Sequence, residues 1–172
     1  EYFTHNEYDN YDSCIINSNP HISIIIPTYN RYEELKGLLK DLELQIYKNF
    51  ELIIIDQSDP FNRSFYSKFK IFHNVIRQKE PGLWKARNKG ISLAKSEYLI
   101  FLDDDSRIER DWIFEHLKCL DYFNADISSG VSISAIGANV PDNYFFFRWS
   151  DQLDTGNTLI RKVVFQKSGL FD

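Results

Sequence analysis

The sequence contains only two cysteines, Cys14 and Cys119, and their wide separation fits no metal-binding spacing. Two cysteines in a chain of 172 residues indicate reduced thiols, as in a cytosolic protein. Apolar runs extend over only a few residues, so no segment is long enough to span a bilayer. The net charge of −5 argues against a nucleic-acid partner, because phosphate backbones attract basic proteins.

Three glycine-containing motifs of common enzyme classes are also absent. No G-x-G-x-x-G follows the first predicted strand, and no G-x-x-x-x-G-K-[ST] phosphate loop occurs anywhere. The G-x-S-x-G turn of many hydrolases is missing as well. Redox enzymes, nucleoside triphosphatases and hydrolases of these kinds therefore lose their main support.

The composition is that of a folded globular protein, with 43% hydrophobic and 26% charged residues. Residues 1–20 are polar and aromatic without clear periodicity, and we expect them to form a leader or arm. Residues 21–172 are predicted to form one folded domain. Because methionine is absent and the chain begins at Glu1, we expect it to be part of a longer natural protein.

Buried strands alternate with amphipathic helices along residues 21–172. Residues 22–26 are nearly all β-branched, and apolar side chains recur at helical spacing from Leu35 to Ile46. Asn30, with Glu33 three residues later, is predicted to cap this helix. Further strands are predicted at 50–55, 75–78, 97–102 and 126–133, and further helices at 64–73, 83–95 and 110–121. This alternation predicts an α/β fold with a mostly parallel sheet flanked by helices.

The segment 144–149 (YFFFRW) is strongly aromatic. A packed core strand is the favoured interpretation. An edge strand and a flap over a pocket are the alternatives that the sequence leaves open.

Polar residues follow three predicted strands, at the edge where open α/β sheets bind ligands. These residues are 27–31 (PTYNR), 56–58 (DQS) and the acidic triplet Asp103, Asp104 and Asp105. Because adjacent carboxylates repel one another, we expect a cation near the triplet, although a solvated turn is the simpler alternative. Asp56 can accept hydrogen bonds from a base or a ribose. Asp103 and Asp105 together can bind a divalent cation, which in turn binds a diphosphate.

Basic residues lie near the start of the helix that follows Pro81 and Gly82. Helix N-termini favour anions, and a guanidinium can bind a phosphate through two hydrogen bonds. We therefore predict that Arg87 binds phosphate, whereas Lys89 is predicted to lie on a solvated helix face.

Four segments resemble, in order, the motifs of family 2 glycosyltransferases. They are 22–31 (ISIIIPTYNR), 51–58 (ELIIIDQS), 81–90 (PGLWKARNKG) and 98–105 (YLIFLDDD). The resemblance extends from Ile22 to Asp172. It implies a GT-A fold, in which a Rossmann-like, mostly parallel sheet flanked by helices binds a nucleotide sugar.

The resemblance also implies a UDP- or dTDP-sugar donor and a Mg or Mn ion. The residues that it assigns to the donor are Pro27, Thr28, Tyr29, Arg31, Asp56, Arg87 and Asp104. Asp56 would contact the base, Arg87 would lie near the diphosphate and Asp104 would face the ribose or sugar. Asp103 and Asp105 would form the metal-binding D-x-D motif, with Asp105 as the direct ligand.

The implied activity is that of a hexosyltransferase-like enzyme in polysaccharide or glycoconjugate biosynthesis. Such enzymes commonly transfer the sugar to a saccharide or lipid-linked acceptor with inversion. We expect a cytoplasmic location, at the inner face of the membrane where the acceptor is lipid-linked, although no basic amphipathic helix demonstrates membrane contact. No motif in the sequence identifies the donor sugar, the acceptor or the oligomeric state.

Two features depart from the family's pattern. Gln57 stands where a second acid often follows the residue at Asp56. The catalytic base usually follows segments like 156–161 and 168–172, so we expect it beyond Asp172 and expect the domain to be truncated at its C-terminus. Asp154 is a weak substitute for that base.

Two other functions are compatible with parts of this pattern. A truncated or degenerate module could bind a nucleotide sugar without turnover, and it would share every donor-binding motif. A nucleotidyltransferase is less favoured, because such enzymes usually carry a glycine- and arginine-rich loop where residues 27–30 (PTYN) stand.

Overall fold

The computed structural model describes residues 5–71, 73–133, 147, 149–151 and 153–172. The strands in these ranges are β1 (Ile22–Thr28), β2 (Phe50–Asp56), β3 (His73–Arg77), β4 (Tyr98–Leu102), β5 (Ile127–Ser129) and β6 (Asn157–Arg161). The helices are α1 (His5–Asp9), α2 (Cys14–Ser18), α3 (Tyr32–Glu43), α4 (Arg63–Tyr66), α5 (Leu83–Leu93), α6 (Trp112–Tyr122) and α7 (Val163–Ser168). Within the described ranges, no helix combines the length and apolar character needed to cross a membrane.

The strands form one sheet in the order β3-β2-β1-β4-β6-β5. β1 pairs in parallel with β2 and β4, and β2 pairs in parallel with β3. Among the described strands, β6 alone runs opposite to the others, and it pairs antiparallel with its neighbours β4 and β5. The predicted α/β fold with a mostly parallel sheet is confirmed. Strand order reverses between β1 and β4, so their carboxyl ends form the crevice where such sheets bind ligands.

Helices cover both faces of the sheet, which explains why β1 and β4 are apolar at successive positions. Ile24 and Ile26 pack against leucines of α3 and α6 on one face. Ile25 packs against α5 on the other face, through Ala86 and its neighbours. A Cβ added at Gly90 would lie 2.3 Å from Cγ2 of Ile25, so this glycine lets α5 approach β1 closely. The close approach positions the start of α5 at the crevice.

Residues 5–20, expected to be a leader or arm, form α1 and α2 against α6. Tyr8 is buried, and its hydroxyl donates to the Glu115 carboxylate at 2.9 Å. Burial, with the Glu115 charge, raises the pKa of Tyr8. Ser13 caps α2 and donates to Asp121 at 2.8 Å. Helices of five residues are too short to be stable alone, so these two depend on tertiary contacts. They are also too short to show a helical period in the sequence.

Three local predictions differ from the structure. The strand predicted at 126–133 is limited to β5. Helix α3 begins at Tyr32 with Arg31 at the N-cap position, so the assignment of Asn30 as the cap was wrong. Asn30 instead has φ 57° and accepts from the Asp59 amide at 3.0 Å, which ties the end of β1 to the loop after β2. The helix predicted at 64–73 is limited to α4. Most of the aromatic segment 144–149 lies outside the described residues.

Candidate functional site

The carboxyl ends of β1 and β4 are joined by a buried hydrogen bond. Thr28 Oγ1 donates to Asp104 Oδ2 at 2.7 Å, and both residues are almost fully buried. Burial raises the pKa of Asp104, and the hydrogen bonds from Thr28 and Arg31 offset part of that rise. Asp104 is therefore held in the wall of the crevice.

The two outer carboxylates of the acidic triplet each accept a hydrogen bond from an arginine. Arg87 Nη2 donates to Asp103 Oδ1 at 2.9 Å. Arg31 Nη1 donates to Asp105 Oδ2 at 2.7 Å and to Asp104 Oδ1 at 3.3 Å. The Asp103 and Asp105 side chains remain 45% and 49% exposed. Two arginines from different elements thus supply positive charge where the sequence predicted a cation.

Arg87 is an unusually buried cation, with its side chain only 1% exposed. Its Nη1 donates to Thr155 Oγ1 at 2.7 Å, and its Cζ lies 5.1 Å from the centre of the Trp84 ring. Burial lowers the pKa of Arg87, whereas the Asp103 charge raises it. Its Nε is buried without a hydrogen-bond partner among the described residues, which is costly for a charged group. The guanidinium is a fixed charge beside Asp103.

Asp56 lies at the end of β2 and is completely buried. Its Oδ2 accepts from the hydroxyls of Tyr32 at 2.9 Å and Tyr66 at 2.7 Å, and its Oδ1 accepts from the Ser58 amide at 2.8 Å. Burial, with Asp56 as hydrogen-bond acceptor, raises the pKa of Tyr66. In this arrangement the carboxylate ties the end of β2 to Tyr32 and Tyr66, and its contact with a base stays a prediction.

Gln57 has a role that the sequence did not reveal. Its Oε1 accepts from the Gly82 amide at 2.6 Å and from Gln78 Nε2 at 3.3 Å. Because Gly82 immediately precedes α5, this contact positions the helix that carries Arg87. The sequence showed Gln57 only as a departure from an acidic residue.

The loop before β6 closes on Asp103, and sequence reasoning missed this contact too. A Cβ added at Gly156 would lie 2.1 Å from Asp103 Oδ2, so any side chain there would force the Asp103 carboxylate to move. Asp154, the weak candidate for the base, accepts from the Gly156 amide at 3.0 Å and from the Ser132 hydroxyl. These contacts make Asp154 a loop-stabilising residue.

The remaining predicted residues lie on β1 or just after it. Pro27 is buried within β1, which continues through it to Thr28. Tyr29 follows Thr28 and is 51% exposed. The structure therefore brings Thr28, Arg87 and the acidic triplet together, with Arg31 paired to two of its carboxylates.

The oxygen ligands available at the crevice fit a metal ion that binds together with a diphosphate. Within the described ranges, no three His, Cys, Asp or Glu side chains converge as a metal site. Asp103 and Asp105 nevertheless offer half-exposed carboxylate oxygens. Mg²⁺ usually binds through one or two carboxylates, several waters and the substrate's phosphates. The residues present match that mode, and Mn²⁺ accepts the same oxygen ligands.

Comparison with known proteins gives a consistent assignment. The family described as Glycosyl transferase family 2 matches residues 23–166. Glycosyltransferase GlyA of Streptococcus pneumoniae is 31% identical over 130 residues, which cover 73% of this chain and 18% of that protein. The amylovoran biosynthesis glycosyltransferase AmsB of Erwinia amylovora is 33% identical over 107 residues, which cover 58% of this chain and 35% of that protein.

Solved structures share the fold. Residues 1–349 of TarS from S. aureus give a TM-score of 0.73 at 20% identity, over 88% of this chain and 50% of that one. The mannosyltransferase PcManGT from Pyrobaculum calidifontis, in complex with GDP-Man and Mn²⁺, gives a TM-score of 0.73 at 15% identity. The match covers 97% of this chain and 52% of that one. At these identities the likeness shows the fold alone.

The chain spans about half the length of these solved structures and less of the two curated relatives. The family match nevertheless covers most of the chain, including β1, β2, α5 and β4 with all of the site residues described above. The resemblance predicted from the four motifs is confirmed. The chain belongs to glycosyl transferase family 2, and its sheet has the GT-A fold.

Proposed function

We propose that this chain is the donor-binding part of an enzyme that transfers a sugar from a nucleotide sugar to a saccharide or lipid-linked acceptor. The observation that carries the proposal is the alternation of arginines and carboxylates at the β1/β4 crevice, through the Arg87–Asp103 and Arg31–Asp105 pairs. A diphosphate with a divalent cation needs both signs of charge side by side. The relative named for amylovoran biosynthesis supports a role in polysaccharide or glycoconjugate biosynthesis.

The donor is a nucleoside diphosphate sugar. One TarS structure holds UDP-GlcNAc and the mannosyltransferase structure holds GDP-Man with Mn²⁺, which supports this donor class without selecting the base. Pro27, Thr28, Tyr29 and Arg31 line the nucleotide pocket in this proposal, and Asp56 lies on the base side. Asp104, fixed by Thr28, faces the ribose or the sugar.

Asp103 and Asp105 hold the metal ion when the donor is bound. The ion supplies Lewis-acid stabilisation of the leaving diphosphate. Arg87 orients Asp103 through its hydrogen bond, and its buried charge adds to the positive potential at the leaving group. Transfer proceeds with inversion, and a carboxylate acting as general base deprotonates the acceptor hydroxyl.

Calorimetric titration of UDP in the presence of Mn²⁺ tests the site. Asp105→Asn removes one charged ligand, so metal-dependent UDP binding should fall at least tenfold, on the order of the loss expected for one charged metal contact. Asp126→Asn is the matched control, because Asp126 is a half-exposed carboxylate that pairs with Arg161 away from the crevice. Equal UDP affinities of the two variants would contradict the assignment of the metal site. Full-length protein that binds donor but transfers no sugar would instead identify a binding module.

A further inference from the structure

The two arginines at the acidic triplet differ sharply in how firmly they are held. Arg87 is buried, with two hydrogen-bond partners and an aromatic ring against its guanidinium. The Arg31 side chain is 51% exposed, and its hydrogen bonds to Asp104 and Asp105 both come from Nη1. Arg87 is therefore a permanent part of the site, whereas Arg31 can leave its carboxylates without breaking the core.

Arg31 forms an ion pair with Asp105, whose carboxylate the proposed metal requires. Its Nη1 lies 2.7 Å from Asp105 Oδ2, which is the distance of a charge-assisted hydrogen bond. Because a guanidinium carries its charge at every ordinary pH, this contact is an ion pair. A divalent cation approaching Asp105 meets this positive charge directly.

Releasing Arg31 costs little. The Arg31–Asp105 pair joins two half-exposed side chains, so water solvates both partners once they separate. The contact of Arg31 with the buried Asp104 is the longer of the two, at 3.3 Å. Asp104 keeps its hydrogen bond from Thr28, and Asp103 keeps Arg87. Breaking the Arg31 pair thus frees the Asp105 carboxylate and leaves the rest of the triplet in place.

We propose that Arg31 is a resident counter-ion that competes with the divalent metal for Asp105 and is displaced when metal and donor bind. The inference rests on the proposed function, since it assumes the metal role of Asp105. In the absence of donor, Arg31 offsets part of the negative charge of the acidic triplet and lowers the affinity for free metal about two- to fivefold.

The test is a titration of Mn²⁺ in the absence of nucleotide. Binding is measured by electron paramagnetic resonance, as the loss of the signal of free Mn²⁺. Arg31→Gln should bind Mn²⁺ about two- to fivefold more tightly than the original chain, as expected for removal of one exposed ion pair. Arg31→Lys keeps a charge and should bind Mn²⁺ more weakly than Arg31→Gln. Arg107→Gln is the matched control, because Arg107 is an exposed arginine paired with Asp41 outside the triplet, and its Mn²⁺ affinity should be unchanged.

Circular dichroism and thermal unfolding verify that each variant is folded. An Arg31→Gln affinity for Mn²⁺ equal to or weaker than that of the original chain would overturn the inference. If UDP binding by the original chain is still metal-dependent, the proposed function survives that result. Absence of UDP binding with and without Mn²⁺ would instead reject the proposed function and the inference with it.

Discussion

The buried His116 predicts a specific loss of stability in acid. Trp112 Nε1 donates to Asn157 Oδ1 at 2.9 Å, so the same oxygen accepts from His116 Nε2 at 3.0 Å. The other ring nitrogen, Nδ1, lies 3.0 Å from Ser128 Oγ and accepts from that hydroxyl. Burial lowers the pKa of His116 to about 4, and its hydrogen bonds oppose only part of this effect. The neutral imidazole joins α6 to β5 and β6.

The magnitude follows from the two states of the proton. The unfolded histidine takes up a proton near pH 6.5, whereas the folded one does so only near pH 4. The contribution to stability is therefore complete above pH 6.5 and is lost as the pH falls toward 4. The difference between these pKa values corresponds to about 3 kcal/mol.

The assay is urea unfolding between pH 7.5 and about pH 4, which is the range in which the linkage acts. His116→Gln keeps a donor and an acceptor but cannot titrate, so its free energy of unfolding should fall by about 3 kcal/mol less than that of the original chain. His21→Gln changes an exposed histidine, so its free energy of unfolding should fall with pH as much as that of the original chain. Parallel pH profiles for the original chain and His116→Gln would refute the reasoning.

Two further predictions concern how α5 is positioned. Gly90→Ala should lower the free energy of unfolding by about 1–3 kcal/mol through overpacking against β1, although alanine is the better helix former. Gly37→Ala on α3 has room for a Cβ, which would lie 3.6 Å from Cδ of Arg107, and should be neutral or stabilising. Equal effects of the two changes in urea unfolding would contradict the close approach of α5 to β1. Gln57→Ala leaves the Gly82 amide without its acceptor and should weaken UDP binding in calorimetry, whereas Gln57→Glu keeps an acceptor and should restore most of it. Failure of glutamate to do better than alanine would argue against this positioning role.

The central strands and the acidic triplet could be predicted because each depends on residues close together in the chain. β1, β2 and β4 are mostly apolar runs, as buried parallel strands are, and Asp103–Asp105 directly follow one of them. Their position at the crevice then follows from the parallel order alone.

The parts that could not be predicted depend on contacts between distant segments. β6 enters the sheet antiparallel beside β4, and only this pairing brings Gly156 and Thr155 to Asp103 and Arg87. The pairing of Arg31 with Asp105 likewise joins the end of β1 to the end of β4. No local pattern of hydrophobicity or charge encodes such partners.

The most direct test of the account compares UDP with uridine in calorimetric titrations of this chain, each with and without Mn²⁺. A metal held between the acidic triplet and a diphosphate predicts that Mn²⁺ strengthens UDP binding and leaves uridine binding unchanged. Equal UDP affinities with and without Mn²⁺ would contradict a metal–diphosphate site at Asp103 and Asp105.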